Sequence, residues 1–182
     1  RVLDAAGALF SERGYSGVTL KQIASALKVR QAALYYHAPG GKEELFVTVT
    51  RRQLDRHREG LSDAIATAEP DIAAGLQAAA GWLLSQPPFD LARFLRTDLP
   101  ALAPESAAAL DTLSTEALLA PVEALLVAAY QRGEIRMIDP AVMARVFLGV
   151  VNTLHDLHRI SRAPPAVVAR DVIDTLLVGL RR

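Results

Sequence analysis

Between Thr19 and Lys42 the chain reads TLKQIASALKVRQAALYYHAPGGK. No other stretch constrains the fold as much, because it specifies two short helices and the turn between them. Thr19 offers a side-chain oxygen to the free backbone N–H groups of a helix beginning at Leu20, and Gln22, three residues on, reaches back to complete a capping box. Ile23, Ala24 and Leu27 give that helix a short apolar face, and Ala24 is small enough for a second helix to pack close across it. The pattern breaks at Lys28 and resumes after Val29, with Leu34 and Tyr35 expected to point inward. An apolar periodicity interrupted so briefly describes two helices crossing steeply through a short turn, a helix-turn-helix. The second helix, residues 31–37, is then the recognition helix. It presents Gln31, Ala32, Tyr36 and His37, small or hydrogen-bonding side chains suited to a major groove.

The chain of 182 residues, 51% apolar and 5% aromatic, is long enough for one sizeable core and a small satellite domain. Its apolar residues recur at helical spacing without sustained alternation, so the fold class is all-α. A first helix is expected from Val2 to Arg13, burying Val2, Ala6, Leu9 and Phe10 and ending at Gly14. Gly40 and Gly41 allow a sharp turn into a long helix over residues 42–68, whose Glu43 and Glu44 complement the positive end of its dipole. Leu45 and Phe46 should pack on the head, Leu61 and Ile65 on the body. Further helices are expected over residues 71–85, 89–97, 105–132, 140–159 and 165–180, with Pro121 kinking or dividing the one that contains it. The absence of cysteine leaves no disulfide framework and no thiolate chemistry, which suits a cytoplasmic protein. Neither a signal peptide nor an apolar run long enough to cross a bilayer is expected.

The formal charge is zero overall, yet it is segregated. Residues 1–58 hold ten Lys plus Arg against five Asp plus Glu, a net of +5, so the remainder carries −5. The lysines, Lys21, Lys28 and Lys42, all fall in the first part, at helix starts and turns. A basic head on an acidic body is the footprint of a protein that docks one end on a polyanion.

The run RVLDAAGALFSERGYSGVTLKQIASALKV followed by ALYYHAPGGKEELF resembles the amino-terminal domain of TetR-family transcriptional regulators over about a third of the chain. Its elements stand in the family's order and spacing: the LDAA…LFSERGY helix with its glycine end, the TLKQIA start, LYYH, and the KEEL that opens the next helix. Further on, GEIRMIDP before an apolar helix is similar to a carboxy-terminal connection common in the family. The resemblance implies a three-helix DNA-binding domain over residues 1–46, joined by the long helix to a ligand-binding and dimerisation domain over residues 47–182. It implies that Thr19, Lys21, Tyr35, His37 and Lys42 hold phosphates, which sets register without reading sequence. Lys28, in the turn, adds a cation near the backbone. Arg30, Gln31, Ala32 and Tyr36 are the choices for base edges; Arg30 suits a bidentate contact to guanine, and Ala32 a thymine methyl. For Tyr35, a ring in the core with only its hydroxyl at a phosphate stays open. The first residue is Arg rather than Met, so a preceding segment is expected, which in relatives is often basic. Three positions depart from the family pattern. Lys28 stands for a turn glycine, at a strain of about 1 kcal/mol if left-handed. Arg30 stands for a Ser or Thr cap, and Ala38 for a Phe that would anchor the recognition helix.

In the body, Met143, Val146, Phe147, Val150, Val151, Leu154 and Leu157 in one helix, and Val168, Val172, Ile173, Leu176, Leu177 and Leu180 in the last, make both apolar over more than one stripe. Gly149 and Gly179 permit close helix approach. The resemblance makes these two helices a homodimer interface, and a dimer of heads reads a palindromic operator. It also implies an effector pocket among the middle helices, for which Trp82, Phe94 and Phe147 are candidate walls and Arg93, Arg96, Asn152 and His155 candidate polar contacts. The effector expected is a small apolar or amphipathic molecule, and repression is the default by analogy. His155, Asp156 and His158 invite a metal reading but lack a third ligand at a set spacing, so no metal or cofactor is expected. An enzyme is disfavoured by the absence of G-x-S-x-G, phosphate-loop and H-E-x-x-H motifs. A helical adaptor using the head for protein contacts is the alternative, and it sits poorly with the segregated charge.

Overall fold

The computed structural model describes residues 2–68, 70–155 and 163–180, without side-chain detail at His37, Pro165 and Ala166. The described residues are helical and contain no strand. In chain order they form α1 (Val2–Arg13), α2 (Leu20–Leu27), α3 (Gln31–His37), α4 (Gly41–Thr67), α5 (Ile72–Ser85), α6 (Leu91–Arg93), α7 (Pro104–Ser114), α8 (Ala120–Gln131), α9 (Pro140–Leu154) and α10 (Pro165–Leu180). A π-helical turn, Phe94–Asp98, and a 3₁₀ turn, Leu99–Ala101, prolong α6, and a second π turn, Thr115–Leu119, joins α7 to α8. That π turn lies where Pro121 removes the N–H that the Ala117 carbonyl would otherwise accept. The proline thus modifies the helix without ending it. The continuous 104–131 helix is long and apolar enough, by length and composition alone, to reach across a membrane, which corrects the expectation that no such run exists. Leu118, Leu119, Val122 and Leu126 on it are buried within the protein, as in a core helix.

Two compact units emerge. The first comprises Arg1–Asp55 and Asp90–Ser114, the second Arg56–Phe89 and Thr115–Arg182. Residues 90–114, which the sequence assigns to the body, therefore group with the head, and α4 contributes its two halves to different units. In the first unit α1 packs on α2 and α2 on α3. Ala6, Phe10, Ile23, Ala24, Leu34, Leu45, Phe46 and Val49 are buried. Phe46 takes the edge of Phe10 at 5.0 Å and 88°, and of Tyr15 at 5.1 Å and 63°. Val2 and Leu9, expected inside, are only half-buried, because Ala6 and Phe10 already fill the stripe that α1 turns inward.

In the second unit α5 packs against α8, α9 and α10, and Leu76, Ala79, Leu126, Phe147, Val151, Ile173 and Leu177 are buried. The GEIRMIDP segment ties three helix ends together. Glu134 accepts the Ile72 N–H at 2.8 Å, capping α5, and also pairs with Arg132; that hydrogen bond to Arg132 holds its carboxyl below the usual range. The Arg136 N–H and guanidinium donate to the Leu180 and Gly179 carbonyls at 2.9 and 3.2 Å, satisfying the end of α10. Asp139 accepts from the Ala141 and Val142 N–H groups, starting α9 with Pro140 in its first position. Ile135, fully buried, anchors the segment.

Candidate nucleic-acid interface and effector site

The capping box at Thr19 is complete. Its hydroxyl oxygen accepts the Gln22 N–H at 3.3 Å, and the Gln22 carbonyl oxygen accepts the Thr19 N–H at 2.8 Å and its hydroxyl at 3.0 Å. Lys28 is left-handed at φ 57° and ψ 39°, the one non-glycine residue with positive φ among those described. Its N–H and that of Val29 return to the Ala24 and Ser25 carbonyls, closing α2 so that the chain can turn into α3. Arg30 precedes α3 with extended backbone and no side-chain cap, so its guanidinium is left exposed.

Leu34 and, one turn on, Ala38 are the buried anchors of α3, at 1% and 2% exposure. Tyr35 is 48% exposed and Tyr36 87%, which overturns the expectation that Tyr35 points inward. A seven-residue helix has room for one narrow buried stripe, and the residue after Leu34 is rotated by about 100° away from it. The outer face of α3 consequently presents Gln31, Ala32, Tyr35 and Tyr36, with Arg30 at its start and exposed Lys21 and Lys28 at the two ends of α2. The His37 side chain lies outside the described residues. Lys42 is half-buried: its ammonium donates to the Tyr15 carbonyl at 3.1 Å and stands 4.0 Å over the Tyr15 ring. Two further donors remain on that ammonium for an anion.

A hub within the same unit has no local sequence signal. Asp98, 3% exposed, accepts the Tyr15 N–H at 2.8 Å. Its second oxygen stands 3.5 Å from Arg93 Nε, an ion contact without hydrogen-bond alignment, since Nε has no hydrogen-bond partner among the described residues. Another guanidinium nitrogen of Arg93 donates to the Phe10 carbonyl at 3.3 Å. Gly14 makes the close approach possible, for it has φ +69°, and a Cβ there would lie 2.8 Å from the Asp98 carboxylate.

The seven side chains named from sequence around an effector divide between the units. Arg93, Phe94 and Arg96 belong to the first, where Arg93 serves the hub, Phe94 is buried and Arg96 is exposed. Trp82, Phe147, Asn152 and His155 belong to the second: Phe147 is buried at 3%, the others half-buried. Asp156, Leu157 and His158 lie outside the described residues. The sequence reading missed His57, 2% exposed in the second unit. Charged neighbours in RRQLDRHREG disguise it, yet it falls three residues after Leu54 and four before Leu61, both fully buried, and that spacing is the signal. Burial, with Arg56 and His155 nearby, pushes its pKa down to about 4, so the imidazole is neutral at pH 7.

A family model described as bacterial regulatory proteins, tetR family, matches residues 2–49. The regulator LmrA of Bacillus subtilis is 37% identical over 78 residues, which span 43% of this chain and 41% of that protein. The chain thus matches less than half the length of this curated relative. Among solved structures, the TetR-family transcriptional regulator PfmR from Thermus thermophilus is similar over the full length of both chains at 26% identity and a TM-score of 0.74. AibR, crystallised with isovaleryl coenzyme A and operator DNA, is similar over 96% of this chain and 95% of its own, with a TM-score of 0.78 at 23% identity. The head's motifs and the helix-turn-helix they build thus match the amino-terminal part of tetR-family bacterial regulatory proteins over residues 2–49, and the whole chain is similar in fold to PfmR.

Proposed function

We propose that this protein is a ligand-responsive, DNA-binding transcriptional regulator, a cytoplasmic repressor without enzymatic activity. It binds a palindromic operator as a homodimer and leaves it when a small apolar or amphipathic effector occupies the body. The observation that carries this reading is the outer face of α3, with Gln31, Ala32, Tyr35 and Tyr36 exposed beside the cations Lys21, Lys28 and Arg30. Its occupants suit base edges and phosphates. Arg30, Gln31, Ala32 and Tyr36 read bases; Thr19, Lys21, Lys28, Tyr35, His37 and Lys42 position the backbone. AibR, of similar fold, was crystallised with isovaleryl coenzyme A and operator DNA.

Dimerisation through α9 and α10 is supported by Val142, Val146, Val167 and Val178, each 43–73% exposed. Val142, Val146 and Gly149 lie on one strip of α9 at i, i+4 and i+7, and among the described residues nothing stands within 4 Å of where a Gly149 side chain would begin. Because α4 runs from the head unit into the second unit, a shift of its later turns acts on a helix whose first turns hold the head core. A hundredfold loss of operator affinity needs about 2.7 kcal/mol of such coupling. Selection of duplexes from a random pool at two salt concentrations tests the reading. A palindromic consensus bound more weakly as salt rises, and lost on Gln31→Ala with Arg30→Ala, is expected; enrichment no better than non-specific binding would overturn it.

A further inference from the structure

We propose that the effector is an uncharged amphipathic molecule whose carbonyl or hydroxyl oxygen is held in the second unit by the Trp82 indole N–H and the His57 imidazole. This rests on the effector-responsive reading above and gives it a chemistry. Two buried nitrogens carry the argument. His57 is 2% exposed, and among the described residues neither its Nδ1 nor Trp82 Nε1 has a hydrogen-bond partner. Buried polar atoms are nearly always paired, so two orphans on one helix face mark a place suited to a guest's polar atom.

Both groups lie against one face of α4. His57 and Gly60 lie one turn apart on the same face of α4, and the indole covers Gly60 so closely that a Cβ there would be 2.0 Å from Cζ2 and 2.4 Å from Cε2, the carbon bonded to Nε1. Phe89 supplies an apolar flank, its ring centre 6.3 Å from that of His57.

The chemistry of the two groups restricts the guest. An indole N–H can only donate, so the atom facing it is an acceptor. A neutral imidazole donates or accepts at Nδ1, according to tautomer, and so serves a carbonyl or a hydroxyl equally. Neither group carries a counter-charge, and surroundings that keep the imidazole uncharged penalise a ligand carboxylate in the same way. Arg56, the neighbouring cation on α4, is exposed.

Trp82 is the only tryptophan of the chain, so its emission reports on this site alone. The full-length protein is titrated with straight-chain methyl ketones, the matched primary alcohols, fatty carboxylates and alkanes. Saturable shifts of Trp82 emission with ketones or alcohols are expected, with carboxylates and alkanes of equal length weaker by about tenfold or more. By calorimetry, His57→Phe and Trp82→Phe, each checked for native circular dichroism, should weaken ketone binding by about tenfold or more. Carboxylates binding as tightly as ketones, no compound shifting the emission, or both variants binding like the parent protein would overturn the proposal. Selected duplexes that bind while no ligand meets these terms would refute the site and leave DNA reading intact. Ketones bound at His57 and Trp82 without change in duplex affinity would instead refute effector control and leave the site standing.

Discussion

Asp98→Ala should destabilise the amino-terminal unit by about 3 kcal/mol. The carboxylate is 3% exposed and accepts the Tyr15 N–H at 2.8 Å. A hydrogen bond to an ionised group contributes about 1.5–3 kcal/mol, and alanine leaves the Tyr15 N–H without its acceptor. The contact with Arg93 adds little, about 0.5 kcal/mol, because that side chain is 29% exposed and the pair stands 3.5 Å apart without alignment. Asp98→Asn keeps an oxygen for Tyr15 and loses only the charge, so about 1–2 kcal/mol is expected. Urea unfolding followed by circular dichroism supplies the differences, and hydrogen exchange at the Tyr15 amide supplies the location. Gly14→Ala gives an internal control, since its Cβ would meet the same carboxylate oxygen at 2.8 Å. In the Asp98→Ala background that clash is gone, and Gly14→Ala should cost only the left-handed strain of about 1–2 kcal/mol. A loss below about 1 kcal/mol for Asp98→Ala, or an unchanged Tyr15 amide, would refute the account.

His57 predicts an acid-sensitive fold. With its pKa pushed down from 6.5 to about 4, the unfolded chain binds more protons between those values, so stability rises with pH across that window and is flat above it. The loss from pH 7 to pH 4 is about 3 kcal/mol, and His57→Phe should remove it from the pH profile of urea midpoints. Lys28→Gly relieves a left-handed residue at φ 57° but adds freedom to the unfolded chain, for a net gain of about 0.5–1 kcal/mol in thermal or urea unfolding. A loss of stability there would contradict the turn geometry. Gly60→Ala should displace the indole, costing about 2 kcal/mol or more and shifting Trp82 emission even without ligand.

Within the head, what could be read from sequence was local. The Thr19–Gln22 box, the left-handed Lys28, the uncapped Arg30 and the limits of α1 and α3 depend on atoms within a few residues of one another. Helix ends and turns are settled at that range. The exposure of Tyr35 is not legible locally, because adjacent residues of a short helix are separated only by how the helix is rolled against its neighbours, which no local rule sets. The whole-chain fold class was legible for a similar reason, since helical periodicity repeats along the chain.

The amino-acid sequence by itself determined the helix-turn-helix head, the segregation of charge toward it and the succession of helices behind it. Only the tertiary structure decided that Asp98 meets Tyr15 across 83 residues, that Glu134 caps α5 across 62 and that residues 90–114 join the head unit. It alone decided that His57, amid arginines, is buried on the face of α4 that the Trp82 indole covers, with no partner among the described residues for His57 Nδ1 or Trp82 Nε1. Capping and periodicity act at short range and leave their mark in neighbouring letters. Burial and polar pairing depend on which helices meet, and that is a property of the packed chain.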